Sequence, residues 1–171
     1  EFGHNYYWDE ETATWGNREF SIHGPCVAVD LADKDNLNYL PAFEATFKYA
    51  QEITAQFVVV HTNECLPADI KAGQELVISR LAELLDMAKA YGVTLVIENV
   101  GLRTKGNVLF TLEEYYALFE RFPQAMSLID TGHAHVNGWD IPAVVEKLGD
   151  KLFAFHIHDN DGEGDDHLPV W

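Results

Sequence analysis

A chain of 171 residues with 47% hydrophobic and 23% charged content holds enough apolar material for one packed domain and too much for a disordered chain. No apolar run is long enough to cross a bilayer, and nothing near the N-terminus reads as a secretory signal. The formal charge of −17, from 28 acidic against 11 basic residues, repels polyanions and leaves no basic stripe for nucleic acid or anionic lipid.

Residues 1–18 are aromatic and polar without a period, and read as a loop. Five short apolar runs then follow in order: FSIH (20–23), FVVVH (57–61), TLVIE (94–98), SLID (127–130) and LFAFH (152–156). Between them lie stretches of helical period. Leu37, Leu40, Phe43, Phe47, Ala50 and Ile53 recur at three and four residues, as do Leu81, Leu84, Leu85 and Ala88. Asp69 is placed to cap the second helix and Gly92 to end it. Thr111 with Glu114 forms a capping box for 112–120, and Asp140, Pro142 and Gly149 bracket another short helix. The alternation of strand and helix, with continuous apolar strands buried on both faces, predicts a parallel sheet in a single α/β domain spanning 1–171. Cys26 and Cys65 lack zinc or redox spacing and read as ordinary thiols of a reducing compartment, hence of a cytoplasmic protein.

The five runs end at His23, His61, Glu98, Asp130 and His156. Right-handed crossovers place all these ends on one edge of a parallel sheet. Taken singly, each is a common helix cap or a satisfied structural histidine; five in succession point to one site. In a flat sheet, with strands about 4.8 Å apart, the ends would spread over roughly 19 Å and could not meet at an ion. Closed into a barrel they converge on its axis. Only five units are visible where a (β/α)8 barrel of about 250 residues has eight, so the expectation is a partial barrel, incomplete at both ends. Its two open apolar edges invite self-association into a homo-oligomer.

More candidates fall on the same edge. Asp130-Thr131-Gly132-His133-Ala134-His135 sets two histidines just past a strand, and the period of two puts His156 and His158 on one face. Residues 160–167 form a short loop dense in oxygen and nitrogen ligands, including Asp165 and His167, with glycines that let the backbone approach a ligand.

On IHGP (22–25), VVVHTN (58–63), LVIEN (95–99), LIDTGHAH (128–135) and FHIHDNDGEGDDHLP (155–169), the chain resembles the sugar phosphate isomerase/epimerase superfamily, which is grouped with AP endonuclease family 2 and has a xylose isomerase-like TIM barrel. The resemblance implies that strands three to seven of eight are present. In the isomerase and epimerase branch one divalent metal (Mn²⁺, Mg²⁺, Co²⁺ or Zn²⁺) is held by a Glu, an Asp, a His and a second Glu. The first three match Glu98, Asp130 and His156; the fourth belongs to the eighth strand, past Trp171. Further metals in the endonuclease branch match His23, His61, His133, Asp165 and His167.

The implied function is a metal-dependent isomerase or epimerase of a sugar or sugar phosphate, acting by proton transfer next to a carbonyl. Glu98 would be ligand and acid/base, His133 would bind a substrate oxygen, and Arg103 or Lys105 would reach an anionic group. The partner is then a small-molecule carbohydrate, with no membrane and with nucleic acid disfavoured by the charge. The alternatives are a zinc-dependent AP endonuclease-type phosphodiesterase, a non-catalytic sugar-binding barrel fragment, and sugar dehydration by a related barrel.

Overall fold

The computed structural model describes residue 16 and residues 18–170, so most of the loop expected over 1–18 lies outside the described residues. The five apolar runs form β1 (Ile22–His23), β2 (Val58–Val60), β3 (Leu95–Glu98), β4 (Met126–Asp130) and β5 (Leu152–His156). All pair in parallel, in chain order, within one sheet. Most are a little shorter than the apolar run: Phe20, Ser21, Phe57, His61 and Thr94 fall outside the ladder. Of these, Phe57 still packs in the barrel interior and His61 faces the site.

Along these strands the side chains alternate between two cores. Val58, Val60, Leu95, Ile97 and Ile129 point outward into the large cluster beneath the helices. Val59, Val96 and Leu128 point inward and form a second cluster with Phe57, Met126 and Ala154. An inner cluster requires a curled sheet. Phe57, just before β2, meets Phe153 of β5 edge-on at 5.5 Å between ring centroids. His23 of β1 lies 5.8 Å from His156 of β5, where a flat sheet would separate those strands by roughly 19 Å. The five strands are therefore consecutive staves of an α/β barrel, as expected.

The helices are α1 (Tyr39–Glu52), α2 (Ile70–Tyr91), α3 (Leu112–Arg121), α4 (Thr131–Val136) and α5 (Ile141–Leu148). Their ends follow local chemistry. Asp69 accepts a hydrogen bond from the Ala72 amide at 3.0 Å, and Gly92 takes the left-handed conformation at φ 69°. Thr111 and Glu114 form the reciprocal capping box, and Asp140 caps α5 through the Ala143 amide at 3.2 Å.

Two expectations need correction. Leu37 precedes the first turn of α1 and is 73% exposed, because no neighbouring turn covers it; the buried stripe begins at Tyr39. β5 is not buried on both faces: Phe153 and Phe155 are 45% and 41% exposed. It is the last strand of the sheet, with neither a further strand nor a covering helix beyond it among the described residues.

Candidate functional site

Glu98 continues the inward register of Val96 and ends β3 with a carboxylate that is 2% exposed. Four imidazoles from other connections surround it. Its Oε2 lies 3.1 Å from His61 Nε2 and 3.5 Å from His23 Nε2. Its Oε1 lies 3.2 Å from His156 Nδ1 and 3.8 Å from His133 Nδ1. Burial alone would push this carboxyl up, but hydrogen bonds from His156, His23 and His61 outweigh it and hold Glu98 well below the ordinary carboxylate range. The effect is mutual. Contact with Cys26 and then Glu98 lifts His23 to about 10. His61 rises to about 11: its burial opposes the charge, but Cys26, Glu64 and Glu98 prevail. A buried carboxylate facing ring nitrogens needs a positive charge between them, whether proton or metal ion.

Asp130, 1% exposed, ends β4 and also caps α4, its Oδ1 accepting from the His133 amide at 2.8 Å. This double use fixes the carboxylate at the rim. Asn99 fixes it further: its amide oxygen accepts from the Asp130 amide at 2.7 Å and its own amide donates to the Asp130 carbonyl at 3.2 Å. The Asn99 carbonyl in turn accepts from His133 Nδ1 at 2.9 Å, which leaves Nε2 facing the rim. Asp165 arrives from the loop after β5, with Oδ2 3.4 Å from His133 Nε2 and Oδ1 3.3 Å from His167 Nε2.

Each of the residues expected at a metal site, His23, His61, Glu98, Asp130, His133, His156, Asp165 and His167, reaches this rim. Sets of possible ligand atoms lie within 4.8 Å of one another: His23, Glu98 and His156; Glu98, Asp130 and His133; His23, Cys26 and His61; His158, Asp165 and His167. Metal–nitrogen and metal–oxygen bonds of about 2.1 Å in a tetrahedron separate neighbouring ligand atoms by about 3.4 Å. The nitrogen–oxygen separations around Glu98 match that edge, so the donor set fits a divalent cation.

The site also contains residues outside the expected ligand set. Cys26 is no ordinary loop thiol. Gly24 approaches β2 so closely that a Cβ would lie 2.3 Å from the Val59 carbonyl oxygen, and the turn that follows sets Cys26 Sγ 3.7 Å from His23 Nδ1. His23 and then His61 lower that thiol to about 6. Cys65 is free and exposed, as expected of a loop thiol. His158, two residues past His156, reaches Asp130 with Nε2 at 3.0 Å. Asn99 carries no motif signal of its own. In contrast, His135 turns to Asn160, Nδ1 to Oδ1 at 2.7 Å, and Arg103 is spent on the Val136 carbonyl; both tie loops together.

Residues 16–170 match the family described as xylose isomerase-like TIM barrel. Among curated proteins, the chain is 24% identical over 159 residues to an uncharacterised protein of Methanocaldococcus jannaschii, covering 89% of this chain and 60% of that one. It is 27% identical over 122 residues to fructoselysine 3-epimerase of Escherichia coli, covering 69% of this chain and 44% of the epimerase. The chain thus spans less than two thirds of either relative's length. Among solved structures, a D-tagatose 3-epimerase-like protein superposes with a TM-score of 0.80 at 24% identity, covering 95% of this chain and 64% of its own. A Thermus thermophilus protein soaked with zinc chloride superposes with a TM-score of 0.77 at 18% identity, over 99% of this chain and 68% of its own. These likenesses extend to the fold. With its sheet curled, its ligand-type residues on the C-terminal rim and almost its whole length matched, the chain belongs to the xylose isomerase-like TIM barrel family.

Proposed function

We propose that the protein isomerises or epimerises a sugar or sugar phosphate by moving a proton at the carbon next to the carbonyl, with a divalent cation held by Glu98, Asp130 and His156. The observation that carries this reading is the buried Glu98 carboxylate encircled by imidazoles on the rim of the barrel where chemistry collects. Similarity to fructoselysine 3-epimerase supports the same class of substrate, a small carbohydrate. When bound, the cation supplies electrostatic stabilisation to the negative charge that develops on the carbonyl oxygen.

The chain's own residues do the rest. Glu98, kept ionised by its neighbours, is in the state that accepts a proton from carbon. Return of a proton to the other face calls for a second carboxylate, which the family resemblance assigns to the eighth strand. His133, with Nδ1 committed to the Asn99 carbonyl, offers Nε2 to a substrate oxygen. Below the rim, Val59, Val96 and Leu128 form an apolar floor.

Solvent deuterium incorporation tests the reading, with the full-length protein incubated with ketoses and aldoses in D₂O. Metal-dependent exchange at a sugar carbon, abolished by Glu98→Gln, is expected. A second reading, zinc-dependent phosphodiester cleavage of the AP endonuclease type, draws on His61, His133, Asp165 and His167 all standing at the rim. The net charge of −17 argues against it. No exchange with any sugar, together with nicking of abasic duplex DNA, would reverse the order.

A further inference from the structure

We propose that Glu64 is a positioning residue of the Glu98 centre, its carboxylate holding the His61 ring so that Nε2 faces Glu98. This rests on the cation reading above and adds to it a residue that touches neither cation nor substrate. The arrangement is one imidazole with a carboxylate at each end. Glu64 Oε1 lies 2.7 Å from His61 Nδ1, and Glu98 Oε2 lies 3.1 Å from Nε2 of the same ring. The row runs inward from solvent: the side chains of Glu64, His61 and Glu98 are 38%, 15% and 2% exposed.

A pair of free surface groups in such a contact would contribute little. Glu64 is not free, because two neighbouring loops hold its backbone. His61 directly follows β2, and the chain turns over buried Thr62 and Asn63 to bring Glu64 back to the ring. Asn107 donates its side-chain amide to the Glu64 carbonyl at 3.2 Å, and Asn63 donates to the Asn107 carbonyl at 3.0 Å. Gly101 lets that second loop close on itself: φ is 86°, and a Cβ would lie 2.6 Å from the Asn107 carbonyl oxygen. From the other side, Asp30 Oδ2 accepts from the Cys65 amide at 3.0 Å. Buried Arg80 fixes Asp30 in turn, donating to the carbonyls of Asp30, Leu31 and Asp33 at 3.3, 3.2 and 2.7 Å.

The carboxylate can only accept, so Nδ1 of His61 must carry the proton between them. Committing Nδ1 in this way aims Nε2 at the rim, whether a proton or a cation fills the gap to Glu98. His23 and His133 rest Nδ1 on the carbonyls of Gly24 and Asn99, at 3.0 and 2.9 Å. His61 differs from both in resting on a charged acceptor, which makes the stronger bond. Its hold on Oε2 leaves Glu98 Oε1 turned to His156 Nδ1 at 3.2 Å, and that nitrogen lies 3.8 Å from Asp130 Oδ2. Glu64 thereby orients the carboxylate oxygen that faces the other two residues proposed to hold the cation.

The test uses the full-length protein, with zinc affinity from a competition titration, ring-nitrogen NMR of His61 and circular dichroism to confirm the fold. Glu64→Ala should weaken zinc binding by about 10–100-fold and displace the His61 Nδ1 signal. Glu64→Gln keeps an oxygen acceptor without the charge and should recover part of the loss. Wild-type affinity in Glu64→Ala would overturn the proposal. So would weaker binding with the His61 signal unmoved, since Glu64 would then be a ligand itself or a loop residue only. Should Glu64→Ala not fold, Glu64→Gln is judged by the same two readouts, with a smaller loss expected. Wild-type zinc affinity in Glu98→Gln would remove the cation reading instead; the His61 Nδ1 signal of the metal-free protein, with and without Glu64, then still decides whether Glu64 holds the ring.

Discussion

β3 and β4 are buried from Leu95 to Glu98 and from Ser127 to Asp130, whereas β5 leaves Phe153 and Phe155 exposed and ends in His156. The central pair is cross-linked at two levels. Tyr115 of α3 places its hydroxyl 2.8 Å from the Ile97 carbonyl, 3.1 Å from the Leu128 carbonyl and 2.7 Å from Ser127 Oγ. Asn99 repeats the tie at the rim. β5 is tied only at its last residue among the described hydrogen bonds of this kind, where the Thr131 hydroxyl donates to the His156 carbonyl at 3.2 Å, and it leads directly into the loop that carries His158, Asp165 and His167. The carboxylates Glu98 and Asp130 are thus set in a packed, hydrogen-bonded frame, while several of the imidazoles that face them sit on a looser margin. Such a division preorganises the anionic part of the site and lets the histidines settle around whatever cation or substrate arrives.

The largest stability effect should therefore come from the middle strands. Ile129→Ala, at a fully buried position, should cost about 2–5 kcal/mol in denaturant unfolding of the full-length protein. Tyr115→Phe removes the hydroxyl shared by both strands and should cost about 1–3 kcal/mol, since two strand carbonyls and Ser127 lose a partner. Asn99→Ala should weaken binding of a divalent cation by about 10–100-fold in a competition titration, through loss of the frame behind Asp130 and His133. A cost for Ile129→Ala below about 1 kcal/mol would remove the packed frame on which the contrast rests.

Much of this architecture is legible in the sequence, because it depends on neighbours in the chain. The β-branched runs, the Asp69 and Asp140 caps, the Thr111 and Glu114 box and the left-handed Gly92 are local matters. The curl was also accessible, from the geometric demand that ligand-type ends converge. The contacts that escaped reading depend on partners distant in the chain. Asn99 meets Asp130 and His133 across 31 and 34 residues, and Cys26 gains its role only because Gly24 folds the chain against β2. The exposed side of β5 has another reason: LFAFH reads as a strand buried on both faces, and nothing local says which neighbours cover it among the described residues.

Convergence of these strand ends, through Glu98, on a divalent cation is checked by metal analysis of the full-length protein, purified and dialysed without chelator. Stoichiometric metal is expected in the wild type and about one equivalent less in Glu98→Gln. Metal content near zero in a folded wild type, or content unchanged by Glu98→Gln, would contradict it.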